Sequence, residues 1–294
     1  MSHVTVDWEE RALGVDHEDY PTLLSEIDDP PDPLHLKGSP PQGPTLAIVG
    51  SRKATTYGLG LALTFARATS NAGWNVVSGL ALGVDGAAHR GSLEGGSPGM
   101  AVLGTGTDVW YPRRHAELGT DLLSAGGAVC SEYPPGTKPR PWHFPARNRI
   151  IAGLSLAVLV IEAAERSGAL ITARLAAEQG REVFVVPGDV DRPNSVGCNK
   201  LLRDGAHPVL DTPDLMEALG RVVAFHPRLV MEEKASLVDP TESAIVAELT
   251  NGSAAIDDLV VAHGPGALAL VGRMELEGRC VVSGGRVQLT KGTI

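Results

Sequence analysis

Leu156-Ala157-Val158-Leu159-Val160-Ile161 is the longest and most apolar strand candidate in the chain. Ser155 precedes it and Glu162 ends it. Six apolar residues in a row are too few for a buried helix but fit a strand covered on both faces, as in a parallel sheet. The run therefore reads as a central strand. Shorter runs of the same kind lie at 45–49, 75–78, 100–103, 128–130 and 182–186. Between them, apolar residues recur at helical spacing over 56–72, 85–94, 114–125, 147–153 and 168–179. In the first of these, Leu59, Leu63 and Ala66 share a face, and Gly73 closes the helix. Strands alternating with helices predict an α/β fold: a doubly wound sheet, mostly parallel and covered on both faces.

The two ends read differently. Residues 1–43 hold ten acids and two bases, with Asp28-Asp29-Pro30-Pro31-Asp32-Pro33 and Ser39-Pro40-Pro41 among them. Such proline runs sustain neither a helix nor a central strand. The segment is expected to be an acidic, Pro-rich extension, with Tyr20-Pro21-Thr22-Leu23-Leu24 able to dock on the main domain. The main domain is expected over 44–220, a linker over 221–238 and a small unit over 239–294. In that unit, helices are expected at 241–249, from a Ser253 cap through Val261, and at 266–277. Two strands around Gly284-Gly285 follow. Three helices and a hairpin predict a winged-helix-like domain.

With 294 residues, 43% of them apolar, the chain can build a sizeable core. Its net charge of −10 argues at first against a nucleic-acid partner. The first 43 residues carry most of that charge, whereas residues 44–220 hold sixteen acids and sixteen bases. Residues 133–161 contain no acid at all. Cys130, Cys198 and Cys280 are far apart and form no CxxC pair, as expected of reduced thiols. An apolar stretch of the ~20 residues a membrane span needs is missing, and the N-terminus has no apolar signal core. A cytoplasmic protein is expected.

Several strands end in small residues: Gly50-Ser51-Arg52-Lys53 after the first, Ser78-Gly79 after the second, Gly104-Thr105-Gly106 after the third. Ser167-Gly168 opens the helix after the long strand. In open α/β sheets, ligands bind outside the carboxyl ends of the strands. Glycine lets a ligand approach the backbone there, and helix N-termini offer free N–H groups to anions. Phosphate recognition follows, although such turns also belong to the architecture whatever the ligand. The GxGxxG and GxxxxGK[ST] patterns are absent, so neither NAD nor ATP is expected and no cofactor is implied.

The segment Lys138-Pro139-Arg140-Pro141-Trp142-His143-Phe144-Pro145-Ala146-Arg147-Asn148-Arg149 interleaves four bases with aromatic rings, on a stretch read as a proline-extended loop. Aromatic faces stack nucleobases, and Arg and Lys pair with phosphates. Arg113 and Arg114 add further cations after Tyr111-Pro112. No catalytic or metal constellation emerges. Asp85 and His89 read as a helix-surface pair, and Ser51 and Ser78 as hydroxyl donors to phosphate, since no base is spaced to activate either. Glu162 and Glu165 stand where one of them could hold an arginine.

At these residues the chain resembles the DNA processing protein A (DprA/Smf) family. The matching motifs are Ala47-Ile48-Val49-Gly50-Ser51-Arg52-Lys53-Ala54-Thr55, Val77-Ser78-Gly79-Leu80-Ala81, Ser131-Glu132-Tyr133-Pro134-Pro135-Gly136 and Phe144-Pro145-Ala146-Arg147-Asn148-Arg149. Glu162 to Arg174 and Gly197 to Ala206 complete a match over about 44–210. The resemblance implies an extended Rossmann-like domain that binds single-stranded DNA, forms homodimers and loads the recombinase RecA in natural transformation, with no catalytic activity. Carried over, Arg52 and Arg113 would hold phosphates. Phe144 would contact bases, Arg147 and Arg149 would line the pocket, and Ser167, Gly168 and Thr172 would donate hydrogen bonds. Gly50, Ser51, Lys53, Ser78, Gly79, Lys138, Arg140 and Asn148 complete the expected single-stranded-DNA site.

Two other readings stand beside it. A nucleoside-monophosphate phosphoribohydrolase of the lysine-decarboxylase-like type uses PGGxGTxxE. Here Arg166-Ser167-Gly168-Ala169-Leu170-Ile171-Thr172 keeps the Thr but not the tandem glycines. A winged-helix regulator would need a basic recognition helix, whereas 266–277 sets Arg273 against Glu275 and Glu277.

Overall fold

A computed structural model describes residues 8–225, 240–250, 252–264, 266–276 and 279–290. The chain divides into two compact units, Met1–Leu229 and Val230–Ile294. The first contains strands β1 (Glu10–Leu13), β2 (Leu34–Gly38), β3 (Thr45–Gly50), β4 (Asn75–Ser78), β5 (Met100–Val102), β6 (Ala128–Ser131), β7 (Ala157–Ile161), β8 (Glu182–Val185) and β9 (His207–Pro208). Helices are α1 (Thr22–Ser25), α2 (Thr56–Asn71), α3 (Val84–Glu94), α4 (Ala116–Ser124), α5 (His143–Gly153), α6 (Gly168–Glu178), α7 (Val196–Arg203) and α8 (Thr212–Ala224).

The nine strands form one sheet in the order β1-β2-β6-β5-β4-β3-β7-β8-β9. From β6 to β9 every pairing is parallel, while β1 and β2 add antiparallel strands at one edge. The chain runs outward from β3 through β4 and β5 to β6, then returns to place β7 on the other side of β3. The direction of winding therefore reverses between β3 and β7, and a ligand crevice belongs at their carboxyl ends.

The pleat explains why the apolar runs are continuous. Successive side chains of a strand point to opposite faces. Ala47 and Val49 of β3, with Val158 and Val160 of β7, enter one core beneath α5 and α6. Leu46 and Ile48, with Leu159 and Ile161, enter the other beneath α2, α3 and α8. All five residues of β7 are buried. The expected α/β, Rossmann-like, doubly wound and mostly parallel sheet is the fold of this unit.

The N-terminal segment corrects the expectation of an extension. Within it, Glu10–Leu13 and Leu34–Gly38 are strands of the sheet, and β2 pairs with β6 from His35 opposite Ser131 to Gly38 opposite Ala128. Leu34 and Leu36 are fully buried while His35 and Lys37 are not, the period-2 alternation of a half-covered strand. Tyr20 and Leu24 join the same core, and the Tyr20 hydroxyl donates to the Pro31 carbonyl at 2.8 Å. The proline runs themselves are neither helix nor strand.

Two further differences concern helices. The stretch read as a loop to residue 146 enters α5 at His143. Pro145 sits in the first turn, where its missing N–H would have no intrahelical acceptor. α8 continues past residue 220 to Ala224. Its start is set by Asp211, whose side chain accepts from the Asp214 N–H, and by the proline of its first turn. Of the expected linker over 221–238, residues 221–224 belong to α8, and 226–238 lie outside the described residues.

In the second unit the described elements are α9 (Pro240–Thr250), β10 (Ala254–Ala255), α10 (Ile256–His263), α11 (Gly266–Leu276), β11 (Cys280–Ser283) and β12 (Arg286–Leu289). The small sheet has the order β10-β12-β11. Leu259, Val271, Met274 and Val287 are among the residues of its own core. Ser253 does not cap a helix; its hydroxyl accepts from Arg286 Nε at 3.1 Å.

Leu36→Ala tests whether the N-terminal strands belong to the domain. Truncating a buried leucine costs about 2–5 kcal/mol, so the urea midpoint of the variant is expected to fall accordingly. A change within about 0.5 kcal/mol, the usual range for surface positions, would return residues 1–43 to the status of an appendage.

Candidate functional site

A cleft of about 830 Å³ opens at the carboxyl ends of β3 and β7. Gly50, Ser51, Arg52 and Lys53 form one wall, where the chain leaves β3. Gly50 is required there: a Cβ would stand 1.9 Å from the Ile161 carbonyl oxygen of the neighbouring strand. Ser167, Gly168 and Thr172 of α6 form the opposite wall. Ser167 is the N-cap, and its Oγ accepts from the Ala169 N–H at 3.3 Å. The positive end of the α6 dipole thus faces the cleft, a setting that favours an anion.

The third wall comes from the 139–148 segment. Arg140, Phe144, Arg147 and Asn148 line the cleft, together with Arg166, Tyr111 and Asn194. Phe144 packs on Gly104. Its ring centroid is 5.2 Å from that of Tyr111, and the Arg52 guanidinium lies 5.5 Å from it. Arg140 stacks in the same way on exposed Trp142, at 5.7 Å. Arg52, Lys53, Arg140 and Arg166 have no carboxylate partner among the described residues. Among the described residues, Asp85 is the single acid lining the cleft.

Arg147 and Asp85 form the floor, and both are buried. Arg147 Nη1 donates to the Gly79 carbonyl at 2.7 Å and to the Val102 carbonyl, and Nε donates to Asn148 Oδ1 at 3.1 Å. Asp85 Oδ2 accepts from the Gly79 N–H at 3.1 Å and from the Ala81 N–H at 3.4 Å. Burial raises the Asp85 carboxyl above its usual range, opposed by the Arg147 guanidinium and by the two N–H donors. Burial likewise lowers Arg147 to about 10, opposed by Asp85. Asn148 ties this floor to α6, donating from Nδ2 to the Gly168 carbonyl at 3.3 Å.

Several expected site residues stand elsewhere. Ser78 is fully buried and donates its hydroxyl to the Ile48 carbonyl at 2.7 Å, so no donor remains for a ligand. Gly79 is buried against Arg147, whose guanidinium lies 2.2 Å from where a Cβ would be. Arg149 does not line the cleft. It forms a bidentate pair with Glu132 at 2.9 and 3.0 Å and a further pair with Asp29 at 2.9 Å. Residues two apart on an α-helix point about 200° apart, and this separates Arg149 from Arg147. Arg113 and Lys138 line an adjoining depression that shares Tyr111 and Pro139 with the cleft.

Neither glutamate at the edge holds an arginine. Glu162 accepts from the Thr55 N–H at 2.8 Å, from the Thr55 hydroxyl and from Asn194 Nδ2 at 3.4 Å. Its φ of 50° is a strained value for a residue with a Cβ, and the resulting clamp fixes the loop between β3 and α2. Glu165 pairs with Lys200. Asp85 and His89 are both buried, not on a helix surface, because α3 is pressed between the sheet, α2 and α4. Among the described residues no group of three or more His, Cys, Asp or Glu could hold a metal ion, and no helix is long and apolar enough to cross a membrane. The three cysteines are free and buried.

A family model described as DNA recombination-mediator protein A matches residues 11–220. Protein Smf of Escherichia coli (strain K12) is 44% identical over 209 residues, covering 70% of this chain. That match is 56% of the relative's own length, so the chain spans little more than half of it. An X-ray structure of DNA processing protein A from Streptococcus pneumoniae superposes with a TM-score of 0.66 at 41% identity, over 72% of this chain and 74% of that one. A structure of DNA processing protein A from Helicobacter pylori, described for its single-stranded DNA binding mode, gives 0.65 at 28% identity over 73% and 97%.

His89, beneath the cleft, supplies a pH test. Neither ring nitrogen makes a well-formed hydrogen bond. Burial lowers its pKa from 6.5 to about 3, and the Ser78 backbone opposes the shift only in part. The unfolded chain therefore takes up a proton at a pH where the folded chain does not. The stability that neutral His89 allows is complete above 6.5 and is lost progressively as the pH falls from 6.5 towards 3. Between about pH 7.5 and about pH 5, the urea midpoint of the wild type is expected to drop more than that of His89→Leu. Equal drops would show that another group carries the acid sensitivity.

Proposed function

The chain belongs to the DNA recombination-mediator protein A family, and from that membership we propose that its first unit binds single-stranded DNA in the cleft between β3 and β7. One observation carries the reading: four cations without an ion-pair partner among the described residues line a cleft that also holds the Phe144 ring, with Arg52 against that ring, and whose far wall is a helix N-terminus. Arg52, Lys53, Arg140 and Arg166 supply phosphate contacts. Phe144, backed by Tyr111, supplies a stacking face. Arg113 and Lys138, in the adjoining depression, extend the positive surface. Arg147 acts as a positioning residue beneath them.

On the same reading the protein is a cytoplasmic homodimer that protects incoming single strands and loads RecA during natural transformation and recombination. It does so without catalysis. Asp85, the acid in the cleft, is occupied by two N–H groups and faces Arg147, which leaves a hydrolase no free base there. The name of the matching family, a recombination mediator, supports the RecA role. The second unit, with three helices ahead of a hairpin, supports a winged-helix-like domain with a structural or protein-contact role.

Fluorescence anisotropy of a labelled oligothymidine, single- and double-stranded, at two salt concentrations tests the proposal. Preferential single-strand binding that weakens with salt is expected. Each phosphate contact contributes about 0.7 to the log–log salt slope, so Arg52→Ala should weaken binding and flatten the slope by about that amount. Stacking is worth about 1–3 kcal/mol per base. Phe144→Ala should therefore weaken binding roughly tenfold with the slope unchanged. Arg149→Ala, outside the cleft, should leave the affinity of the folded protein as it was. Binding that ignores salt, or no binding to single strands, overturns the proposal.

A further inference from the structure

Beside the cleft lies a second depression of about 570 Å³, formed by α2, α3 and the turn ahead of α4. Its floor is apolar, with Leu59, Leu63 and Leu82. Its rim carries Arg52, Arg90 and Arg114, and among the described residues no Asp or Glu lines it. Arg52 lines both cavities, so the second depression continues the first. Arg90 and Arg114 are exposed. Arg90 donates from Nη1 to the Gly86 carbonyl of its own helix at 3.3 Å. Among the described residues, Arg114 has no hydrogen-bond or carboxylate partner.

Three guanidinium groups around one hollow repel each other, and nothing in its lining neutralises them. Away from the two cavities several surface arginines find acids, as Arg67 does with Glu94 on the same pair of helices. An arrangement that keeps cations together and acids away suits a polyanion. The volume is within the ~300–1,000 Å³ range of ligand pockets. The lining offers no exposed aromatic face, since His115, its one ring, is buried and tied to the Leu80 carbonyl at 2.9 Å. Base stacking is therefore not available. A sugar–phosphate chain fits instead, with deoxyribose over the leucines and phosphates on the arginines.

We propose that this depression is a second backbone subsite, into which the strand continues from the main cleft across Arg52. The inference rests on the reading that the cleft itself takes single-stranded DNA. It makes affinity depend on strand length without adding sequence preference, because the phosphate backbone is the same for every base.

Oligothymidines of about four and about sixteen nucleotides, the limits of single-strand site size in a different fold, separate the two subsites. Binding is measured by anisotropy on the full chain for the wild type, Arg90→Ala/Arg114→Ala and Arg90→Lys/Arg114→Lys, with thermal melting as the check on folding. The double alanine variant is expected to bind the short strand as the wild type does. It should bind the long strand about tenfold more weakly, with a salt slope reduced by about 1.4 for two lost phosphate contacts. The double lysine variant should recover most of the loss. An unchanged long-strand affinity, or an equal loss at both lengths, overturns the second subsite while leaving the cleft in place. If the wild type binds neither length, the cleft reading falls and this inference falls with it.

Discussion

The buried Arg147 guanidinium holds the site together. It draws the ends of β4 and β5 into register by bonding the Gly79 and Val102 carbonyls, and it anchors Asn148, which reaches α6. Asp85 faces it and fixes the Gly79–Ala81 turn. Desolvating a charge of this kind is costly unless it is paired and hydrogen-bonded, and removing one member of such a group costs about 3–5 kcal/mol. Glycine at 79 follows from the same constraint, because any Cβ there would occupy the space of the guanidinium. The floor of the cleft is thus rigid before any ligand arrives.

That rigidity divides the labour among the basic residues. Arg147 and Arg149 lie in one helix, and both are committed to internal partners. Arg52, Lys53, Arg140 and Arg166 stand on turns and loops at the ends of strands, without an ion-pair partner among the described residues. An acidic protein can therefore present a cationic site. Most of the surplus negative charge falls in the first 43 residues, and part of it is consumed locally, as where Asp29 meets Arg149.

The sheet was legible because its strands are buried on both faces, which leaves unbroken apolar runs such as 156–161 and 45–49. The glycine turns placed Gly50, Ser51, Arg52, Lys53, Ser167 and Gly168 at a crevice for the same reason: topology puts strand ends there; Thr172 came only from the family resemblance. Composition could not separate ligand-facing groups from structural ones. Ser78 and Arg149 have the chemistry of phosphate donors, but their bonds to Ile48, Glu132 and Asp29 depend on contacts 17 to 120 positions away. β2 was hidden by the prolines on either side of a short alternation at Leu34 and Leu36. Arg166, Tyr111 and Asn194 carried no local signal beyond position, and only the fold brings them to the cleft.

Hydrogen–deuterium exchange with and without a saturating oligothymidine tests the location of the strand most directly. The account predicts slowed exchange in the amides of residues 50–53 and 167–172, the two walls of the cleft, with the peptides of α11 and β12 unchanged. Protection confined to 266–276 and 286–289, with the cleft peptides unaffected, would contradict it and move single-strand binding to the second unit.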